Sequence, residues 1–345
     1  PDPNAFATGA RRNNALVALS ETGGVYREAA VGQPRHLNPI LASTSDLDLD
    51  ITRLVYSSLV KLNRNLELEN DLAAGYEISP DQKTYTVKLR SDVVWHDGEA
   101  FNADDVIFTI RSIQTPDYAS PLLSSFQGVE VEKVDDYTVR FTLQQPYALF
   151  LNSLTVGIAP QHVWEDIPPK NTSLAEQILK PVGTGAFKFS EITTRRKTGD
   201  ITGVTLVRND RYYQQQPYLD EIDFLFYPTH EEAMQALLSS QVDGVSFLPL
   251  QLANDVKWRA SYNVHRLLIP QYFALFFNQN KNELLADAGL RSSLALATDR
   301  ETIVKEALGS EADVLHLPIP PGVFAYHEEF GNPAYNPDAA KQNLE

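Results

Sequence analysis

Tyr85-Thr86-Val87-Lys88-Leu89-Arg90-Ser91-Asp92-Val93-Val94-Trp95-His96-Asp97-Gly98-Glu99-Ala100-Phe101-Asn102-Ala103-Asp104-Asp105-Val106 reads as a strand, a polar turn, a short apolar piece, a tight turn and a capped helix. Tyr85, Val87 and Leu89 alternate with Thr86, Lys88 and Arg90, which is the period of a half-buried strand. Asp97-Gly98 is a turn pair, because glycine supplies the positive φ that other residues resist. Asn102 stands where a helix cap is needed, and Asp104 and Asp105 place acids in the first turn, where the helix dipole favours them. No residue of the run is read as catalytic.

Outward from this run, strands and helices are mixed along the whole chain, so the class is α/β or α+β. Gly24–Val31, Thr84–Val94, Gly128–Gln144, Val182–Phe189, Gly203–Arg208, Ile222–Tyr227 and Val242–Phe247 have strand character, with a hairpin turn at Asp135-Asp136. The apolar positions between Asp50 and Leu62 fall on one helical face. Asn102–Ser112, Thr229–Leu238, Arg291–Ala297 and Arg300–Leu308 are the other predicted helices, and Leu66–Tyr76 is a connecting piece. Tyr272–Phe277 is an almost unbroken apolar run, as a strand buried on both faces would be. Residues 1–24 lack clear periodicity and read as a tail or linker.

The 345 residues are 43% hydrophobic, enough for a sizeable core and two domains or lobes. A net charge of −16 repels phosphate backbones and argues against a nucleic-acid partner. The chain has no cysteine, which removes disulfides, thiolate nucleophiles and cysteine-held metal or iron–sulfur centres. No apolar stretch is long enough to span a bilayer. The first residue is Pro1 and not Met, so a leader or anchor is expected to have preceded it.

Motifs for chemistry fail on inspection. Gly183-Thr184-Gly185 opens like a dinucleotide-binding loop, but Lys188 stands where the third glycine belongs, so a turn between packed strands is expected instead. His230-Glu231-Glu232 lacks the second zinc-binding histidine, because position 234 is Met. The histidines at 36, 96, 162, 230, 265, 316 and 327 are not spaced for a compact metal site. A Gly-x-Ser-x-Gly nucleophile elbow is absent, and neighbouring carboxylates such as Asp104-Asp105 and Glu231-Glu232 point apart. Neither a cofactor nor an enzymatic activity is expected.

A series of motifs then occurs in one order: Leu37-Asn38-Pro39, Leu54–Val60, Asp71-Leu72-Ala73 with the opening run, Val182–Phe187, Pro217–Ile222, Val242-Asp243, Phe277-Asn278, Arg291, Asp299-Arg300 and Tyr335–Lys341. In this the chain, from about Gly24 onward, resembles the family 5 solute-binding proteins of bacterial ABC importers, which carry oligopeptides, dipeptides, nickel chelates and some sugars. The resemblance implies a periplasmic-binding-protein-like fold of type II, two α/β lobes around a ligand cleft. Residues 25–43 and 180–268 would form the core of lobe I, residues 44–179 a subdomain inserted in it, and residues 269–345 the start of an incomplete lobe II. The strands that cross between lobes would lie near Leu267–Ala274.

It also implies an extracytoplasmic receptor, in the periplasm or on the outer face of the membrane, held by an N-terminal anchor outside this sequence. Its partners would be a peptide or similar small solute and the transmembrane subunits of a permease, and it is expected to be a monomer. The ligand candidates are Ser43, Thr44 and Ser45, at the family's peptide-pairing edge, with Phe247, Leu248 and Phe276. Each has an alternative: a plain polar loop for the first three, core packing for the others. The competing functional class is a secreted hydrolase or a protein-binding scaffold. Two departures bear on cargo. The acid that meets a peptide amino terminus in peptide-binding members falls after residue 345, and Leu122 follows Ser120-Pro121 where some members place an aromatic. The 345-residue chain alone is therefore expected to bind weakly or not at all in calorimetry.

Overall fold

The computed structural model describes residues 22–249, 272–309, 312–315 and 334–344, with a few single positions between them. Most of the predicted tail at 1–24, the Leu267–Gln271 part of the predicted crossing and much of the Pro-rich segment 318–337 lie outside the described residues. The chain forms two compact units, Pro1–Phe247 and Leu248–Glu345.

The opening run builds the centre of a four-stranded antiparallel sheet in the first unit. Its strands are β4 (Ala73–Ile78), β5 (Thr84–Leu89), β6 (Glu130–Asp135) and β7 (Thr138–Thr142), in the order β4-β5-β7-β6. Tyr85, Val87 and Leu89 of β5 are buried and Lys88 is exposed, so the alternation does select a face. Helix α2 (Ala103–Gln114) packs on β6 and β7 through Val106, Ile110 and Ile113. Trp95 and Phe101 close this core edge to face, with ring centroids 6.1 Å apart. The predicted helix thus runs two residues past Ser112, and the four-residue helices α3 (Leu123–Phe126), α4 (Phe150–Ser153) and α5 (Gln161–Trp164) follow it.

The second sheet of this unit has five strands in the order β11-β1-β10-β9-β8: β1 (Val25–Val31), β8 (Phe187–Thr194), β9 (Ile201–Arg208), β10 (Glu221–Tyr227) and β11 (Gly244–Val245). Strand β1 lies parallel to both β10 and β11, while β8, β9 and β10 run antiparallel. One face carries Ala30, Val204, Leu206, Ile222, Phe224 and Phe226 into the core. Helix α6 (His230–Leu238) packs on β1 and β10, and Thr229 caps it by accepting from Glu232 N at 3.2 Å.

Four expectations in this unit need correction. Helix α1 (Asp46–Val55) stops seven residues short of Leu62: Val55 O accepts from Gly185 N at 2.8 Å, Tyr56 turns extended, and Val60–Leu62 becomes the short strand β2, paired with β3 (Leu68–Asn70). That pairing also places strands inside the predicted connecting piece. Residues 182–186 are not strand; Gly183 gives its amide and carbonyl to His96, leaving nothing for a ladder. The strand predicted over Val242–Phe247 is only the two-residue β11, because Phe247 enters the left-handed region at φ 52°.

The second unit contains α7 (Ala288–Leu296), α8 (Arg300–Leu308) and α9 (Pro337–Gln342), the last packed on α7. Here the buried strand expected at Tyr272–Phe277 is overturned. Residues 272–277 pair with no strand among the described residues, and Phe273 and Phe276 are 96% and 85% exposed. An apolar run becomes a buried strand only with ladder partners on both sides, and none is described here.

Candidate functional site

In open α/β sheets, ligands meet the loops beyond the carboxyl ends of the parallel strands. In the first unit these are the ends of β1, β10 and β11. The turn after β1 is made by Gly32 at φ 104°, whose amide reaches Tyr227 O at the end of β10 (3.0 Å). The buried carboxylate of Asp48 in α1 then accepts from Arg35 N and His36 N, both at 2.9 Å. Asn38 is fully buried; its Oδ1 accepts from Ile40 N at 2.9 Å and its carbonyl accepts from Leu41 N and Ala42 N. These bonds deliver the chain into a single 3-10 turn, Ala42–Thr44, directly before α1.

Ser43 and Thr44 sit on that turn with exposed side chains. Ser45 is the cap of α1, its Oγ accepting from Asp48 N at 3.3 Å. The three residues therefore share one turn; Ser45 is used internally, Thr44 is exposed but its Oγ1 donates to Leu41 O at 3.4 Å, and Ser43 faces solvent. At the far side of β1, Phe247 follows β11 and is 51% exposed. A phenylalanine in the left-handed region is strained by about 1–2 kcal/mol, so its surroundings must hold it there. Leu248 is half-buried and Phe276 exposed, both in the second unit.

Two residues in the first half of β1 escaped the sequence reading. Tyr26 and Glu28 lie on the core-side face of β1, and Tyr26 Oη donates to Glu28 Oε2 at 2.7 Å. Burial raises the Glu28 carboxyl above the ordinary carboxylate value, while hydrogen bonds from Tyr26 and Ser246 pull it back. Burial also raises Asp50 on α1, which feels the charge of Glu28 and is opposed by Arg53. The available signal was an acid at a core position of a strand flanked by apolar alternation.

Behind α1 lies a second cluster, built from the opening run. His96 is the clamp: Gly183 N–H donates to Nδ1 at 3.2 Å, which leaves Nε2–H to reach Gly185 O at 3.1 Å. Asn209 Nδ2 donates to the same Gly185 oxygen at 2.9 Å. Burial pushes the His96 imidazole down to about 4, helped by Lys188 and Arg211 and opposed by the Gly185 bond and Asp97. The arrangement uses the neutral ring, so the cluster is structural. Its stabilising contribution is full above the unfolded value of about 6.5 and is lost as pH falls toward the folded value. Denaturation at pH 7.5 and pH 5 is expected to show a loss of about 2 kcal/mol that a His96→Gln variant does not show. Equal slopes in the two proteins would refute it.

Among the described residues no group of three or more acidic or histidine side chains is placed to hold a metal ion, and no helix is long and apolar enough to cross a membrane. Residues 67–345 match the family model of bacterial extracellular solute-binding proteins, family 5 Middle. The chain belongs to this family. Among family 5 relatives, it is 31% identical over 333 residues to the oligopeptide-binding protein AppA of Bacillus subtilis, covering 94% of this chain and 59% of AppA. To the dipeptide-binding protein of Escherichia coli it is 27% identical, covering 95% of this chain and 65% of that protein. Two solved structures share its fold. B. subtilis AppA in complex with a nonapeptide matches with a TM-score of 0.73 at 30% identity, over 94% of this chain and 64% of that one. Campylobacter jejuni NikZ in complex with Ni(L-His) matches at 0.74 and 29%, over 93% and 62%. The chain thus spans about 60% of the length of such family 5 proteins.

Proposed function

We propose that this protein is the extracytoplasmic receptor of an ABC importer, which captures peptides or a similar small solute and delivers them to a membrane permease. The observation that carries the reading is family membership joined to relatives named for oligopeptide and dipeptide binding. The carboxyl end of the parallel strands β1, β10 and β11 supports it, as an open sheet edge of the kind that receives ligands. Ser43 and Thr44 are exposed on a backbone of small residues, which suits main-chain recognition of an extended peptide. Ser45 holds their turn and Phe247 offers an exposed ring, while Leu248 and Phe276 are separate candidates within the second unit. A receptor of this kind works by binding cargo better in its closed state, since otherwise no population shifts.

Native mass spectrometry of the full natural-length protein, purified without denaturation, tests the cargo. A ladder of retained peptide masses is the expected result. A single small mass, or retention of a nickel–histidine complex supplied at equal concentration with no peptide, would sink the peptide reading while leaving a receptor.

A further inference from the structure

Strand β1 is an interior strand of its sheet, with β10 on one side and β11 on the other. On its core-side face its neighbours across β10 are Ile222, Phe224 and Phe226. Packing alone would ask for apolar residues at Tyr26 and Glu28, because a carboxylate loses hydration there. Instead the two side chains bond to each other at 2.7 Å, and Glu28 also takes a hydrogen bond from Ser246. Gly244 of β11 leaves them room: a Cβ on it would lie 1.9 Å from Tyr26 Oη and 2.6 Å from Glu28 Oε2. Three positions are therefore fitted to one another, and Ser246 adjoins the strained residue, Phe247.

We propose that the Tyr26–Glu28 pair is a positioning device: by holding Ser246 it fixes the left-handed backbone of Phe247 and turns that ring outward at the carboxyl end of β11. The device rests on the reading of Phe247 as a cargo contact. Tyr26 and Glu28 need not touch cargo; they act through the residue after Ser246. The other ionisable groups around the pair are Asp243 beside β11 and, on α1, Asp50 with Asp46 and Arg53 next to it. Among the described residues acids outnumber Arg53 here, and the two hydroxyl donors Tyr26 and Ser246 are what hold Glu28.

Fluorine NMR of the whole chain, with 4-fluorophenylalanine placed at position 247 alone, tests this. A second sample labelled at Phe141, buried in the four-stranded sheet, reports folding. Glu28→Val is expected to move the position-247 signal toward that of free fluorophenylalanine, with the Phe141 signal unchanged. Glu28→Gln, which still accepts a hydrogen bond, is expected to keep the wild-type signal. If Glu28→Val disturbs Phe141 as well, Gly244→Ala decides, since it displaces only the tips of both side chains and is expected to move the 247 signal. A 247 signal unmoved by Glu28→Val or Gly244→Ala with Phe141 native, or moved equally by Gln and Val, overturns the proposal. The label reads position 247 without cargo, so failure of the cargo reading is a separate result.

Discussion

Replacing Gly183 with alanine is expected to destabilise the first unit by about 4 kcal/mol, above the usual range for overpacking. The added Cβ would stand 1.9 Å from Val55 O and 2.6 Å from Val55 C. Both are backbone atoms at the end of α1, so no rotamer change relieves the clash. Separating the loop from the helix would also pull on the Gly185 N–H bond to Val55 O and on both His96 bonds. Gly75→Ala is the control. Its Cβ would meet nothing within 4 Å and its φ is not positive, so it should be neutral or stabilising by about 0.5 kcal/mol through the unfolded chain. Urea denaturation of both variants checks the pair; equal midpoints would show that the loop yields freely.

The second large effect is expected at Asp105. This one carboxylate accepts from Gln161 N at 2.9 Å, Asn102 N at 3.0 Å and Trp95 Nε1 at 3.2 Å. It thereby joins the helix start, the tryptophan of the opening run and the segment that begins the four-residue helix Gln161–Trp164. Asp105→Ala would orphan three donors in a buried place, at roughly 1–3 kcal/mol each with partial relief by water, for a total of about 4 kcal/mol. Asp105→Asn keeps an acceptor and should lose less than half of that. The check is the difference in unfolding free energy between the two variants. Similar losses would mean that charge, and not the acceptor geometry, holds the junction.

The opening run was legible because every level agreed in it: alternation, turn glycine, cap and first-turn acids all point to one local structure. The helices predicted over Thr229–Leu238 and Arg300–Leu308 likewise fall on α6 and α8, which the structure caps with Thr229 and Asp299. What failed was decided by partners far away in sequence. The apolar spacing of α1 continues in the sequence through Leu59 and Leu62, but Gly185 ends the helix at Val55, and Leu62 is 45% exposed. Tyr272–Phe277 had the composition of a buried strand, and composition does not supply ladder partners. Of the candidate site, the small polar turn at Ser43–Ser45 could be singled out. The part played by Tyr26 and Glu28 could not, because it depends on the missing side chain of Gly244, more than 200 positions away.

The parallel pairing of β1 with β10 joins Val25–Val31 to Glu221–Tyr227. A chain made from its N-terminus must therefore carry β1 unpaired while the ribosome adds the roughly 190 residues that separate the two strands. At about 5–20 residues per second that wait is on the order of 10–40 s. The four-stranded sheet, complete by Thr142, has time to form first and to stand as a platform. Strand β1 meanwhile exposes both hydrogen-bonding edges, so this brief stage is when the nascent protein most needs a holding factor.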